Sequence, residues 1–220
     1  MRPRAWVLAF AFMATSCRMP GEKQDFSKFT EDFVHGSLAL SPVAATAAGY
    51  HNHHGANLDE KLDDFSRGGI QEQRRFYTTM ERSLQAIRRD SLSVEEQADY
   101  EIIEDQIRLF LLESFRIQGF RHNPCVYVEL IGNALFNPYV LDYAPKPERF
   151  QQIVRRLQRV PILIEQARDN LQSSPEVWTR VAREENAGNI ALIDKTLRAE
   201  APPELKNDYC LLYTSPSPRD

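Results

Sequence analysis

Along most of the chain apolar residues recur three and four positions apart, and alternating strand-like runs are almost absent. Phe26, Phe29 and Phe33 open a first amphipathic stretch, and Ser41-Pro42 is a cap and first-turn signal for a short alanine-rich helix ending near Gly49. The period is lost between Tyr50 and Ser66, where the chain is rich in histidine and aspartate. Phe76, Met80, Leu84 and Ile87 then fall on one face and predict a long helix over 67–89, with Ser66 as its cap. Ser93-Val94-Glu95-Glu96 is a capping box, in which serine oxygen and glutamate each satisfy a backbone N–H that the first helical turn leaves open. Ile103, Ile107, Phe110, Leu111 and Phe115 carry the apolar face of that helix to about Gln118, and Asn123-Pro124 closes the loop that stops it.

The second half of the chain continues in the same way. A helix is expected from Val126 to about Phe136, and Asn137-Pro138 with Ala144-Pro145-Lys146-Pro147 punctuates the next connection. Phe150, Ile153, Val154 and Leu157 start another helix, which Pro161 should break or bend before a segment over 162–171. Ser174-Pro175 is expected to cap the last helix, with Val177, Trp178, Val181, Ile190, Ile193 and Leu197 packing inward until Pro202-Pro203. The predicted class is therefore all-α, a multi-helix portion of a larger helical domain, and no fixed-period repeat points to a solenoid.

The two ends depart from this pattern. Arg2 and Arg4 precede an uncharged run from Ala5 to Ala14 that is too short to span a bilayer, so residues 1–17 are expected to be a signal peptide. Ala14-Thr15-Ser16-Cys17 resembles a bacterial lipobox, which predicts lipidation at Cys17, with ordinary cleavage or an uncleaved anchor as the alternatives. Acyl chains would hold the protein to a membrane at about 0.8 kcal/mol for each buried methylene, without a spanning helix. Residues 18–25 are polar, contain Pro20 and Gly21, and fit a tether, while 26–208 form the helical body. The last stretch, 209–220, has no apolar period and carries Pro216 and Pro218; it resembles a non-native translated tail, in which case the natural protein is expected to continue beyond this point, with a natural disordered tail as the alternative. The expected location is the bacterial cell envelope, on its periplasmic or extracytoplasmic face.

Charge and cysteine content narrow the function classes. The formal charge of −4 becomes −6 once Arg2 and Arg4 leave with the signal, and no basic patch suited to nucleic acid remains. With Cys17 reserved for lipid and Cys210 in the tail, Cys125 stands alone and reads as a small buried apolar side chain. His51, His53 and His54, followed by Asp59, Asp63 and Asp64, form the one cluster of metal-capable residues in the sequence, although loop histidines this close together seldom complete a tetrahedral site. Glu184 and Glu185 interrupt the apolar stripe of the last helix and are either cleft-lining carboxylates or a solvated face. The Arg88-Arg89 and Arg155-Arg156 pairs are expected to face solvent, and His35 and His122 are lone histidines. No His-Glu-x-x-His helix, Gly-x-Ser-x-Gly turn or phosphate-binding glycine loop is present.

Taken in order, Leu40-Ser41-Pro42, Gly49-x-His51, Leu62-Asp63-Asp64-Phe65-Ser66, Asp99-Tyr100, Asn123-Pro124 with Tyr127, Pro145 and Arg149, Pro161, Asn170-Leu171 and Val177-Trp178 resemble the N-terminal half of the bacterial family catalogued as domain of unknown function 885. The resemblance runs from Phe26 to Leu197. It implies a secreted or lipid-anchored helical protein two to three times as long as this chain, similar to zinc metallopeptidases, with the zinc-binding His-Glu helix in a C-terminal half outside this sequence. On that reading no catalytic residue and no metal ligand lies in this part, which supplies scaffold and a cleft wall for a peptide substrate. A non-catalytic envelope lipoprotein that binds or scaffolds is the alternative.

Overall fold

The computed structural model describes residues 25–207, so the predicted signal peptide, Cys17 and the 209–220 tail lie outside the described residues. The described chain is all-α: α1 (Phe26–Leu40), α2 (Pro42–Ala47), α3 (Arg67–Ala86), α4 (Val94–Leu112), α5 (Gly119–His122), α6 (Cys125–Val140), α7 (Lys146–Leu157), α8 (Val160–Asn170), α9 (Glu176–Ala191) and α10 (Arg198–Glu200). Among the described residues the only strands form a two-stranded antiparallel ribbon, β1 (Asn52–His53) and β2 (Ala56–Asn57), and no helix is long and apolar enough to cross a membrane.

Two apolar cores organise the helices. Phe26, Phe29 and Phe33 of α1 pack against Leu84 and Ile87 at the end of α3 and against Tyr100, Ile103 and Ile107 of α4. Tyr77 of α3 stacks on Phe110 of α4 at 3.7 Å between ring centroids. The second core gathers Tyr127, Ile131 and Leu135 of α6, Phe150, Ile153 and Val154 of α7, Leu163 of α8 and Leu197. Removing a fully buried aliphatic or aromatic side chain from either core would cost about 2–5 kcal/mol.

Several helix ends follow the signals in the sequence. The Ser93 side chain accepts from Glu96 N–H while Glu96 accepts from Ser93 N–H, so both halves of the capping box are made. Ser66 Oγ accepts from Gly69 N–H at 3.1 Å and starts α3, and Pro161 sits in the first turn of α8, dividing it from α7. Other signals are overridden. Ser41 and Ser174 make no side-chain cap; Asp63 Oδ1, 20 residues away in sequence, instead accepts from Val43 N–H at 3.1 Å in the first turn of α2. The segment up to Asn123-Pro124 contains the short α5, and α4 ends in a π-helical turn, Glu113–Ile117, before Gln118 takes a left-handed conformation.

The largest difference concerns Pro138, which was expected to end α6 and instead lies inside it. Proline has no N–H to donate to the carbonyl four residues back, which here is Ala134 O. Arg156 Nη1 donates to that carbonyl at 2.9 Å, and Arg149 Nη1 donates to Pro138 O and Tyr139 O at the end of the helix. The two arginines stand seven residues apart on α7, so they project from nearly the same side of it and supply the donors that α6 lacks.

Candidate functional site

The segment between α2 and α3 is built around the ribbon. His54 and Gly55 both have positive φ, 47° and 81°, as the two central residues of a type I′ turn require, and Asn52 pairs with Asn57 across it. This tight return divides the three loop histidines between two environments.

His51 meets a buried polar cluster beside α2 and α7. Its Nδ1 lies 3.0 Å from Asp59, which is buried, and its ring stacks on Tyr143 at 4.4 Å between centroids. Asp59 Oδ1 also accepts from Thr46 Oγ1 at 2.7 Å. Arg156 in turn donates through Nη2 to Thr46 Oγ1 at 2.6 Å and through Nε to Lys61 O at 3.0 Å. Arg156 is 0% exposed, so the expectation that Arg155-Arg156 faces solvent holds for Arg155 and is corrected for Arg156. Burial presses its guanidinium pKa down, while Tyr143, Asp59 and Asp63 favour its charge. Burial also raises the Tyr143 hydroxyl, with Asp59 adding to the effect, and the hydroxyl donates to Gln152 Oε1 at 2.6 Å. Burial pushes the Asp63 carboxyl up to about 6, against the lowering pull of Val43 N–H, Arg156 and Ser41.

This arrangement can fix an imidazole. A carboxylate accepting from Nδ1–H sets the tautomer and leaves Nε2 as the acceptor, and the side chain of His51 remains 27% exposed. Such a ring can take a proton, donate one, or ligate a cation together with groups from elsewhere.

His53 and His54 lie on the other side, with α1. His53 Nδ1 is 2.8 Å from Tyr50 OH, His53 and His54 meet edge to face at 4.2 Å, and Tyr50 stacks on His35 at 4.7 Å. Burial lowers the His53 pKa, and His54, His35 and Lys61 lower it further. The three loop histidines therefore do not converge on one point. The set of three metal-capable atoms that does converge among the described residues is Cys125, Glu129 and Glu185, all within 4.8 Å of one another. Burial raises the Cys125 thiol, and Glu185 and Glu129 raise it further; Glu185 Oε2 is itself buried without a hydrogen-bond partner. Glu184 is exposed. These donors belong to a different helix pair from the histidine loop and do not make the His-Glu set that the zinc expectation places outside this sequence, so no zinc chemistry is derived from the residues present.

Sequence reasoning missed the roles of Arg156, Thr46 and Tyr143, and gave Arg149 a place in the family resemblance without a structural role. A signal existed for the arginines: Arg149, Gln152 and Arg156 run beside the Phe150, Ile153, Val154 and Leu157 stripe, where a fully solvated face would sit opposite it. The last helix is also corrected. Leu197 is buried as expected, but Val177, Trp178 and Ile190 are exposed, Trp178 by 38%, and Phe115 of the π-helical turn is likewise exposed.

The profile of a bacterial protein family of unknown function, DUF885, matches residues 42–211. The fold is similar to a solved structure of a candidate lipoprotein of unknown function from Shewanella oneidensis, with a TM-score of 0.76 and 20% identity. The match covers 86% of this chain and 34% of that one, so the chain spans about a third of that protein's length. No curated protein matches the chain.

Proposed function

From the premise that this chain belongs to the bacterial protein family of unknown function DUF885, matched over residues 42–211, we propose that it is the N-terminal part of an envelope lipoprotein acting as a zinc-dependent peptidase. In this reading Cys17 carries the lipid, the helical body forms scaffold and one wall of a substrate cleft, and polypeptide beyond the chain supplies the metal ligands. The observation that carries it is His51: an imidazole oriented by a buried carboxylate, with one edge open and no complete reactive set around it. Such a residue is prepared for partners brought by another part of a larger protein. The match to a third of the Shewanella oneidensis structure supports the same reading, as does that protein's description as a candidate lipoprotein.

The test uses the full-length natural protein, purified without chelator. Bound zinc by elemental analysis, chelator-sensitive hydrolysis of a peptide mixture, and loss of membrane fractionation in Cys17→Ser are the expected results. His51→Ala should lower kcat with the metal retained. Full-length protein that binds no metal and cleaves no peptide would leave the non-catalytic scaffold as the correct account.

A further inference from the structure

A second cavity, away from the His51 loop, is formed by the start of α3, by α5 and by the end of α8, with a volume of about 650 Å³. That falls within the range of pockets that hold small ligands, roughly 300–1,000 Å³. Its charge is unbalanced: Arg67, Arg74 and Arg121 line it against one carboxylate, Asp169. Among the described residues none of the three arginines forms an ion pair, while eight pairs form elsewhere.

Two of these guanidinium groups are held in place. Arg74 donates through Nε to Ser114 Oγ at 2.8 Å and through Nη2 to Ser114 O, with its guanidinium 4.4 Å from the centre of the Phe115 ring. Arg121 donates through Nη1 to Gln118 Oε1 at 3.2 Å. Both residues are partly buried, and each keeps further N–H groups with no protein partner among the described residues. Phe65, Phe120 and Ile70 supply an apolar wall to the same cavity. Like charges brought together under partial burial are costly unless an anion arrives, and guanidinium groups match the paired oxygens of a carboxylate or phosphate. The neighbouring Arg121 charge also lowers the Arg74 pKa, after burial.

We propose that this cleft binds a small organic oxyanion, a carboxylate or phosphate attached to an apolar group, with Arg74 and Arg121 on the anion and Phe65 and Phe120 on the apolar part. The proposal does not depend on peptidase activity, and a binding readout keeps the two separate.

Calorimetric titration of the full-length protein with benzoate, phenyl phosphate and neutral benzamide tests it. Benzoate or phenyl phosphate should bind at least about tenfold more tightly than benzamide, the size expected for charge-assisted hydrogen bonds. The tighter of the two anions identifies the ligand as carboxylate or phosphoester. Arg121→Gln should weaken the anion by about tenfold, and Arg74→Lys, which keeps the charge but loses the fork, should also weaken it. Arg67→Gln, at an exposed position in the first turn of α3, removes the third positive charge of the lining and should weaken the anion by a smaller factor, which serves should either of the others fail to fold. Equal affinity for benzamide and the anions, no binding up to about 10 mM, or unchanged affinity in the folded arginine variants would overturn the assignment.

Discussion

At the scale of single residues, burial decides the behaviour of the polar groups between α2 and α7. Asp63 illustrates this most directly, because the loop places its carboxyl in a partly buried position while still using it to hold the first turn of α2. Its pKa rises to about 6 in the folded chain, above the ordinary carboxylate value of 3.8 that the unfolded chain keeps. The folded state therefore binds the proton more tightly. The stability that follows is fully present below the unfolded value and is lost as pH rises through the folded one. We expect the unfolding free energy of the protein, minus that of Asp63→Asn, to fall between about pH 4 and pH 7 in urea titrations. A difference that stays flat or rises over that interval would contradict the environment described for Asp63. His51, Asp59 and Asp63 were all visible in the sequence as a polar cluster, but which of them met which was not. That information resides in Arg156, whose partners come from α2, the loop and α6 and lie 22 to 114 residues away. A local pattern of charge cannot report contacts at that separation, and an arginine beside another arginine looks solvated until the fold is known.

At the scale of elements, the sequence was most informative where the controlling interactions are local. The capping box at Ser93 and the cap at Ser66 involve partners three residues apart, and both form as expected. Ser93→Ala should therefore destabilise the protein by about 1 kcal/mol, measured as a lower urea midpoint with an unchanged slope. A loss below a few tenths of a kcal/mol would mean that α4 is held by its packing on α1 and α3 alone. The caps predicted at Ser41 and Ser174 failed for the complementary reason. A remote carboxylate took over the start of α2, and no side chain caps α9. Gly132 shows another non-local control: a Cβ there would lie 2.7 Å from Asn189 Oδ1, and the Asn189 side chain donates to Val128 O at 2.8 Å. A glycine inside a helix is otherwise unfavourable, so its presence in α6 reflects the close approach of α9.

At the scale of the whole molecule, the all-α class and the order of helices were legible from periodicity, but the division into two cores was not. Periodicity also misplaced the outer face of the last helix. Val177, Trp178 and Ile190 continue the apolar spacing yet are exposed, as are Ile102, Leu109 and Leu112 on α4. Spacing shows that a face is apolar without showing what covers it. On the proposed reading these faces belong against the remaining polypeptide, and exposed apolar area of this kind favours association. The 220-residue chain by itself should therefore elute above its monomer size and show no peptide hydrolysis with added zinc. A sharp monomeric unfolding transition, or chelator-sensitive activity from this chain alone, would count against that account.

The joint between α6 and α7 carries a further implication for how the protein reaches its shape. The final turn of α6 depends on guanidinium donors from a helix that follows it in the chain. A growing polypeptide that has emerged only as far as Val140 cannot yet make those bonds. The end of α6 therefore becomes secure only when its successor docks, which couples two neighbouring segments into one cooperative step.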